Sequence, residues 1–428
     1  MACGKCNMFE NKFYMKNMKW QDALQFAAMA LLGAALPLSW RFGLWAALLL
    51  AVVSLAKVFA DIHDGKCMVF NPALNGRMRI ALWAAVAYVA IFAVSLLYSN
   101  NVSAGVNTLW HKSVLLIFPL CFLFTDTSYL KHVHIRVIFY ALLVAVCAVF
   151  LYCAGDAVHK MIDGATLKSV TGITFDARHH TYYAFYALVA LVFVYFEMSE
   201  HWGEMKAWRK ALMMAATVFG ILYIVLVNSR SGVIGLYVME VFCAVHLALR
   251  YKRWWQAVVM AVLLVGFTLS AEALLPGHQN RLKATVEAGE KDARVGIIKS
   301  SLNVMKQSPL TGKGVGDYEE TLHEQYAEDE RSLGTLNAHN QYAETLLAVG
   351  VVGLLLLMAY LVMPIVCAIG RKDVFWQVFF FSGIVMFNLL FESMLERQMG
   401  LLFVGFLLAL MVLITSVDEN KFGHMAKK

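Results

Sequence analysis

Residues 336–353 read LNAHNQYAETLLAVGVVG, and within this string the chain passes from polar to apolar. Asn337, His339, Asn340 and Gln341 are polar, whereas the run 342–368 carries a single charge, Glu344. A run of that length crosses ~30 Å of hydrocarbon as a helix. His339 and Asn340 therefore stand where a membrane span meets water. An imidazole held there can take a proton from a substrate lying at the same level. Equally, it can be an interfacial side chain that only caps or bonds the helix start.

Working outward, apolar windows recur at 22–39, 42–60, 80–98, 105–124, 135–154, 180–197, 211–227, 232–249, 255–271, 374–391 and 398–416, about twelve with 342–368. Of 428 residues 60% are hydrophobic and 15% charged, with mean hydropathy +0.64, which excludes a soluble globular protein. The expected fold is an all-α polytopic membrane protein of about twelve transmembrane helices. Its expected parts are a membrane domain over 1–271 with spans one to nine, a large helical periplasmic loop over 272–341, and spans ten to twelve with a cytoplasmic tail over 342–428. The first twenty residues are basic and polar, and no small-residue cleavage site follows the first window. That window is expected to serve as an uncleaved insertion signal.

Lys and Arg set the expected orientation. With a cytoplasmic N-terminus every inner loop is basic, among them Arg77, Arg79, Lys131, Arg136, Arg209, Lys210, Arg250, Arg253, Arg371 and Lys372. The short outer loops hold only Arg41, Lys160, Lys168, Arg178, Arg230 and Arg397. The net charge of +7 is thereby a topology signal, and residues spread over so many loops make no patch for nucleic acid. The eight cysteines avoid the large outer segment, so no disulfide framework is expected. Cys3 and Cys6 form a CxxC without a second pair at ligand spacing.

Trp110-His111-Lys112 falls near the outer end of the fourth span, where Lys112 is expected to snorkel. From Ala293 to Gln307 the apolar positions Val295, Ile298, Leu302 and Met305 predict an amphipathic helix that lies on the membrane face or covers a cavity. The TGKGVGDY that follows (311–318) has no preceding strand, so its glycines are expected to form turns rather than hold a nucleotide. Glu328-Asp329-Glu330 reads as a solvated face.

Arg178, Arg230, Arg294 and His339 come from four segments, yet the topology sets all four at the outer interface. A lone Arg230 can simply contact lipid phosphate. Together, guanidinium forks facing an imidazole suit a substrate that carries a diphosphate. FESMLERQMG (391–400) brings Glu392, Glu396 and Arg397 to the same surface. A carboxylate there can fix the tautomer of His339, or else pair with a neighbouring arginine. With no carboxylate pair or His/Cys set at ligand spacing on the outer side, no metal or cofactor is expected.

The strings ARHHTYYA before the sixth span, NSRSG at Arg230, the Arg294 helix, PLTGKGVGDY and HNQYAETLLAVGVVG resemble, in this order and over about 171–400, the O-antigen ligase and O-antigen polymerase superfamily. The resemblance implies a multi-pass glycosyltransferase of the bacterial inner (cytoplasmic) membrane with its active site facing the periplasm. It further implies inverting, metal-independent transfer of a glycan from undecaprenyl diphosphate to an acceptor hydroxyl. Carried over by position, Arg178, Arg230 and Arg294 bind the diphosphate and His339 is the base. Glu392 orients it, with Asn340 and Lys112 supporting. The string at Arg178 departs from the family's Asn-Pro-Asn pattern. Implied partners are the lipid-linked donor, lipid A core or a glycan as acceptor, and membrane lipids. Ligation to lipid A core is the first expectation, and polysaccharide polymerisation or protein glycosylation shares the same strings. A secondary transporter would instead show two related halves with polar breaks at mid-membrane.

Overall fold

The computed structural model describes residues 18–65, 70–165, 180–274, 293–329, 333 and 336–417. Cys3, Cys6, Arg178, Glu330 and Arg331 lie outside the described residues. Among the described residues there are helices and no β-strand. The helices are α1 (Trp20–Leu38), α2 (Trp40–His63), α3 (Gly76–Ser95), α4 (Val102–Lys112), α5 (Ile117–Phe124), α6 (His132–Ile162), α7 (His180–His201) and α8 (Ala207–Leu226). They continue with α9 (Arg230–Tyr251), α10 (Trp254–Leu274), α11 (Ala293–Gln307), α12 (Tyr318–Glu328), α13 (Gln341–Ala368), α14 (Phe375–Asn388) and α15 (Gln398–Ser416).

Eleven segments among the described residues are long and apolar enough to cross a membrane, with α4 and α5 joined as one (Val102–Phe124). The chain is thus an all-α polytopic membrane protein. The eleventh of the twelve expected spans, α14, has only 14 residues, about 21 Å of helix against ~30 Å of hydrocarbon. Residues 389–397 make up the difference by turning back into the bundle, where Leu389, Glu392, Ser393, Met394 and Leu395 are buried. The centre is held by α7 and α15, whose apolar windows are 89% and 94% buried, as their all-round apolar sequences require.

Lipid tails are as apolar as the helices, so packing and polar bonds must hold such a bundle together. At one end Arg136 and Arg209 close on Glu197 at 2.6 and 2.7 Å. At the same end Arg371 bonds the carbonyls of Thr415 and Val417, each at 2.7 Å. Burial raises the Asp373 carboxyl, but the two bonds and the charge of Arg371 outweigh it and hold the group below its usual range.

At the other end Lys112 does not snorkel. Its side chain is 2% exposed and bonds Glu396 Oε1 at 2.6 Å and the Leu395 carbonyl at 3.2 Å, with Nζ 4.3 Å from the Phe92 ring centre. The inward rotamer wins because the fold supplies a counter-charge from 284 residues away.

A break divides α13. Val349 (φ −133°) and Gly350 (φ +64°) leave helical geometry, and the loop after α11 fills the gap. Lys313 and Gly314 donate their backbone N–H groups to the carbonyls of Leu347 and Ala348 at 2.8 and 2.9 Å, and Val351 donates to Pro309 at 3.0 Å. The glycine-rich string does turn, since Gly312 has φ +69°, but its larger role is to dock on α13. A Cβ on Gly350 would lie 2.2 Å from the Leu310 carbonyl oxygen. Gly350→Ala should therefore lower stability by about 1–3 kcal/mol, measured as a reduced melting temperature in detergent; an unchanged transition would mean that the loop does not seat here.

The α11 helix forms as expected, but a different face is buried. Ile297, Ser300, Ser301 and Val304 are buried, while Ile298 and Leu302 remain exposed. The two serines are small enough to let α12 approach, and Ser300 Oγ donates to Asp329. Asp329, expected on a solvated face, is thereby a tie between α11 and α12.

Candidate active site

The start of α13 and residues 389–397 are bound into one unit. Asn340 is the N-cap: its Oδ1 accepts from Ala343 N at 3.0 Å while its Nδ2 donates to the Leu390 carbonyl at 3.0 Å. Gln341 donates its backbone N–H to Leu389 O (2.9 Å) and its Nε2 to Glu396 Oε1 (2.9 Å), and accepts from Leu395 N (2.6 Å). Tyr342 donates to Met386 O at 2.9 Å.

His339 stands just before this cap with φ +47°. The left-handed region costs a non-glycine residue roughly 1–2 kcal/mol, and the surrounding bonds hold the residue in it, including His339 N to Asn337 Oδ1 at 3.3 Å. Its Nδ1 lies 3.4 Å from Glu392 Oε1, with side chains 24% and 7% exposed. That separation is long for a hydrogen bond, as catalytic contacts often are before substrate arrives. Residues 53 apart in sequence thus meet because 389–397 folds under the start of α13.

His339 and Glu392 line a cavity of ≈ 870 Å³ together with Lys112, Tyr182, Glu344, Glu396 and Arg397. Glu344 is buried, and its Oε2 accepts from Ala338 N and Ser393 Oγ, both at 2.9 Å. Behind the cavity, burial first and the nearby Glu396 second push the Tyr318 hydroxyl well above the ordinary phenol range. It stays a donor, to Glu319 Oε1 at 3.1 Å.

Of the sequence-selected residues, His339, Glu392 and Lys112 share this cavity, and Asn340 fixes its edge. Arg230 and Arg294 do not line it. Arg230 opens α9 behind the Ser229 cap and is half-buried, with no hydrogen bond or ion pair from its side chain to the described residues. It lies toward the Tyr182 side, since a Cβ on Gly232 would meet Ala184 Cβ at 2.5 Å. Arg294 is exposed in the first turn of α11. Arg397 is the guanidinium that lines the cavity, and its side chain makes no hydrogen bond or ion pair with the described residues. Its place five residues after Glu392 was the available signal, and the adjacent Glu396 masked it by offering a local pair.

Residues 215–358 match the family described as O-antigen ligase. The match contains Arg230, Arg294, His339, Glu344 and the α13 break, and leaves Lys112, Glu392 and Arg397 outside. An uncharacterized protein of Haemophilus influenzae is 24% identical over 209 residues, covering 39% of this chain and 51% of that protein. The chain spans about half the length of the curated relative it matches. Over that matched segment, about a third of its length, the chain is similar to the O-antigen ligase family.

Proposed function

We propose that this chain transfers a glycan from undecaprenyl diphosphate to an acceptor hydroxyl at the periplasmic face, with lipid A core as the acceptor of first choice. The observation that carries this reading is His339, inside the matched segment, set 3.4 Å from Glu392 at the wall of a cavity of ≈ 870 Å³.

In this reading His339 takes the proton of the acceptor hydroxyl as its oxygen attacks the anomeric carbon. The new C–O bond forms as the bond to the diphosphate breaks on the opposite face, so the configuration inverts and undecaprenyl diphosphate leaves with the electron pair. Glu392 holds the imidazole and offsets its positive charge. Arg230, with Arg178 and Arg294, receives the diphosphate, and Arg397 adds a guanidinium from the cavity wall. Asn340 and Lys112 keep the start of α13 and residues 389–397 in register.

The test is transfer by purified protein from a defined lipid-linked donor. Product on lipid A core supports ligation, and product only on a second lipid-linked glycan replaces it with polymerisation. Arg230→Lys keeps charge but loses the fork, and should slow transfer roughly tenfold to a hundredfold, the value of an ionic hydrogen bond of about 1.5–3 kcal/mol. A wild-type rate for that variant removes Arg230 from the diphosphate site. For orientation, a cysteine replacing Glu319 should be labelled by an impermeant maleimide in intact spheroplasts and one replacing Lys372 should not; the reverse pattern puts the cavity in the cytoplasm.

A further inference from the structure

The cavity has a wall that the transfer chemistry above leaves unused, built by α4 and α12. Both helices turn a polar arc into it: Asn107, Thr108 and His111 from α4, Glu319 and His323 from α12. In α4 this is unexpected, because the helix belongs to an apolar span. Its other side, Val102, Val106 and Trp110, is exposed as a lipid-facing stripe. Polar groups in a membrane span that face a cavity rather than a partner helix mark a ligand path.

The wall is preformed. The Asp317 carboxylate, at the start of α12, accepts from the backbone N–H groups of Asn100 and Asn101 at 2.7 and 2.8 Å, joining the two helices where they diverge. Gln398 Nε2 donates to His111 Nδ1 at 2.8 Å, which leaves Nε2 of His111 as the donor. Gln398 Oε1 is buried and makes no hydrogen bond to the described residues. Amides, hydroxyls, imidazoles and one carboxylate are the donors and acceptors that match vicinal hydroxyls, and Trp40 adds an apolar ring. Along this wall the Glu319 carboxylate disfavours a diphosphate, whose charge is met instead by Arg397.

We propose that the α4–α12 wall is the acceptor subsite and takes a neutral, hydroxyl-rich saccharide. It rests on the transferase reading: the acceptor enters along this wall while the diphosphate leaves toward the Tyr182 and Arg230 side.

The experiment uses full-length protein in nanodiscs and two saccharide probes, core oligosaccharide released by mild acid from cells lacking this gene, and an oligosaccharide of the glycan repeat. Binding is followed by saturation-transfer NMR. Wild type should bind one of them, and Asn107→Ala, Glu319→Ala and His323→Ala should each weaken binding about three- to tenfold. The acceptor KM should rise by the same factor while binding of the lipid-linked donor stays unchanged. Val106→Ala, on the lipid side of α4, controls for folding and should bind as wild type does. Binding of core or of repeat supports the subsite and tells the two sources apart. Variants that bind both probes as wild type does overturn it, as does loss of donor affinity instead, which would give the wall to the donor glycan. Saccharide binding at the wall without any transfer by wild type sinks the transferase reading and leaves the subsite standing.

Discussion

Purified His339→Ala protein should transfer no detectable glycan while still inserting and still binding the lipid-linked donor. A sugar hydroxyl is too weakly acidic to ionise unaided, and general-base assistance typically contributes 10²–10⁴ in rate. The structure adds two reasons to expect the upper part of that range. His339 is held in a left-handed backbone conformation by the bonds around it, and its Nδ1 is aimed at Glu392. A residue serving only as a helix-start contact would need neither, because Asn340 already supplies the cap. Glu392→Gln should lose less, since an amide still orients the ring but no longer offsets its charge. If His339→Ala turns over within about threefold of wild type, the histidine is an interfacial side chain and the mechanism fails.

The second large effect is expected at Lys112. Removing one partner of a buried ion pair leaves the other charge without compensation, at a cost of about 3–5 kcal/mol. Lys112→Met should therefore lower the melting temperature sharply in detergent, because Glu396 is also bound to Gln341 and cannot easily turn away. Lys112→Met combined with Glu396→Gln should recover much of that loss, the glutamine still accepting from Gln341. A single variant as stable as wild type, or a double variant no better than the single one, would show that the pair does not hold residues 389–397.

These two sites also show how far the sequence could be read. The spans were legible because hydrocarbon imposes a length on every crossing helix. The place of His339 just before a helix was legible because it sits at the change from polar to apolar. Its contact with Glu392 rested on resemblance and topology, since local sequence carries no sign of a chain folding back under a helix 50 residues away. The shortness of α14 was missed for the same reason: the apolar residues 389–391 read as span whether they continue the helix or turn back. Lys112 was misjudged because its partner is remote. The apolar stripe of α11 was legible from its periodicity, whereas the second face, where Ser300 and Ser301 are buried, was not, because its serines carry no apolar signal. Arg397 was overlooked as part of a local pair, and only the fold shows that Glu396 is committed to Lys112.

The break in α13 also bears on how the protein is made. Carbonyls at Leu347 and Ala348 that find no donor within their own helix would each carry a penalty of several kcal/mol if released into lipid. Their donors, Lys313 and Gly314, precede them in the chain by about thirty residues and leave the ribosome first. The span can therefore move sideways out of the insertion channel only in company with the loop already synthesised ahead of it. Insertion of this helix is then expected to be a joint event, in which residues 309–314 escort the span that follows them.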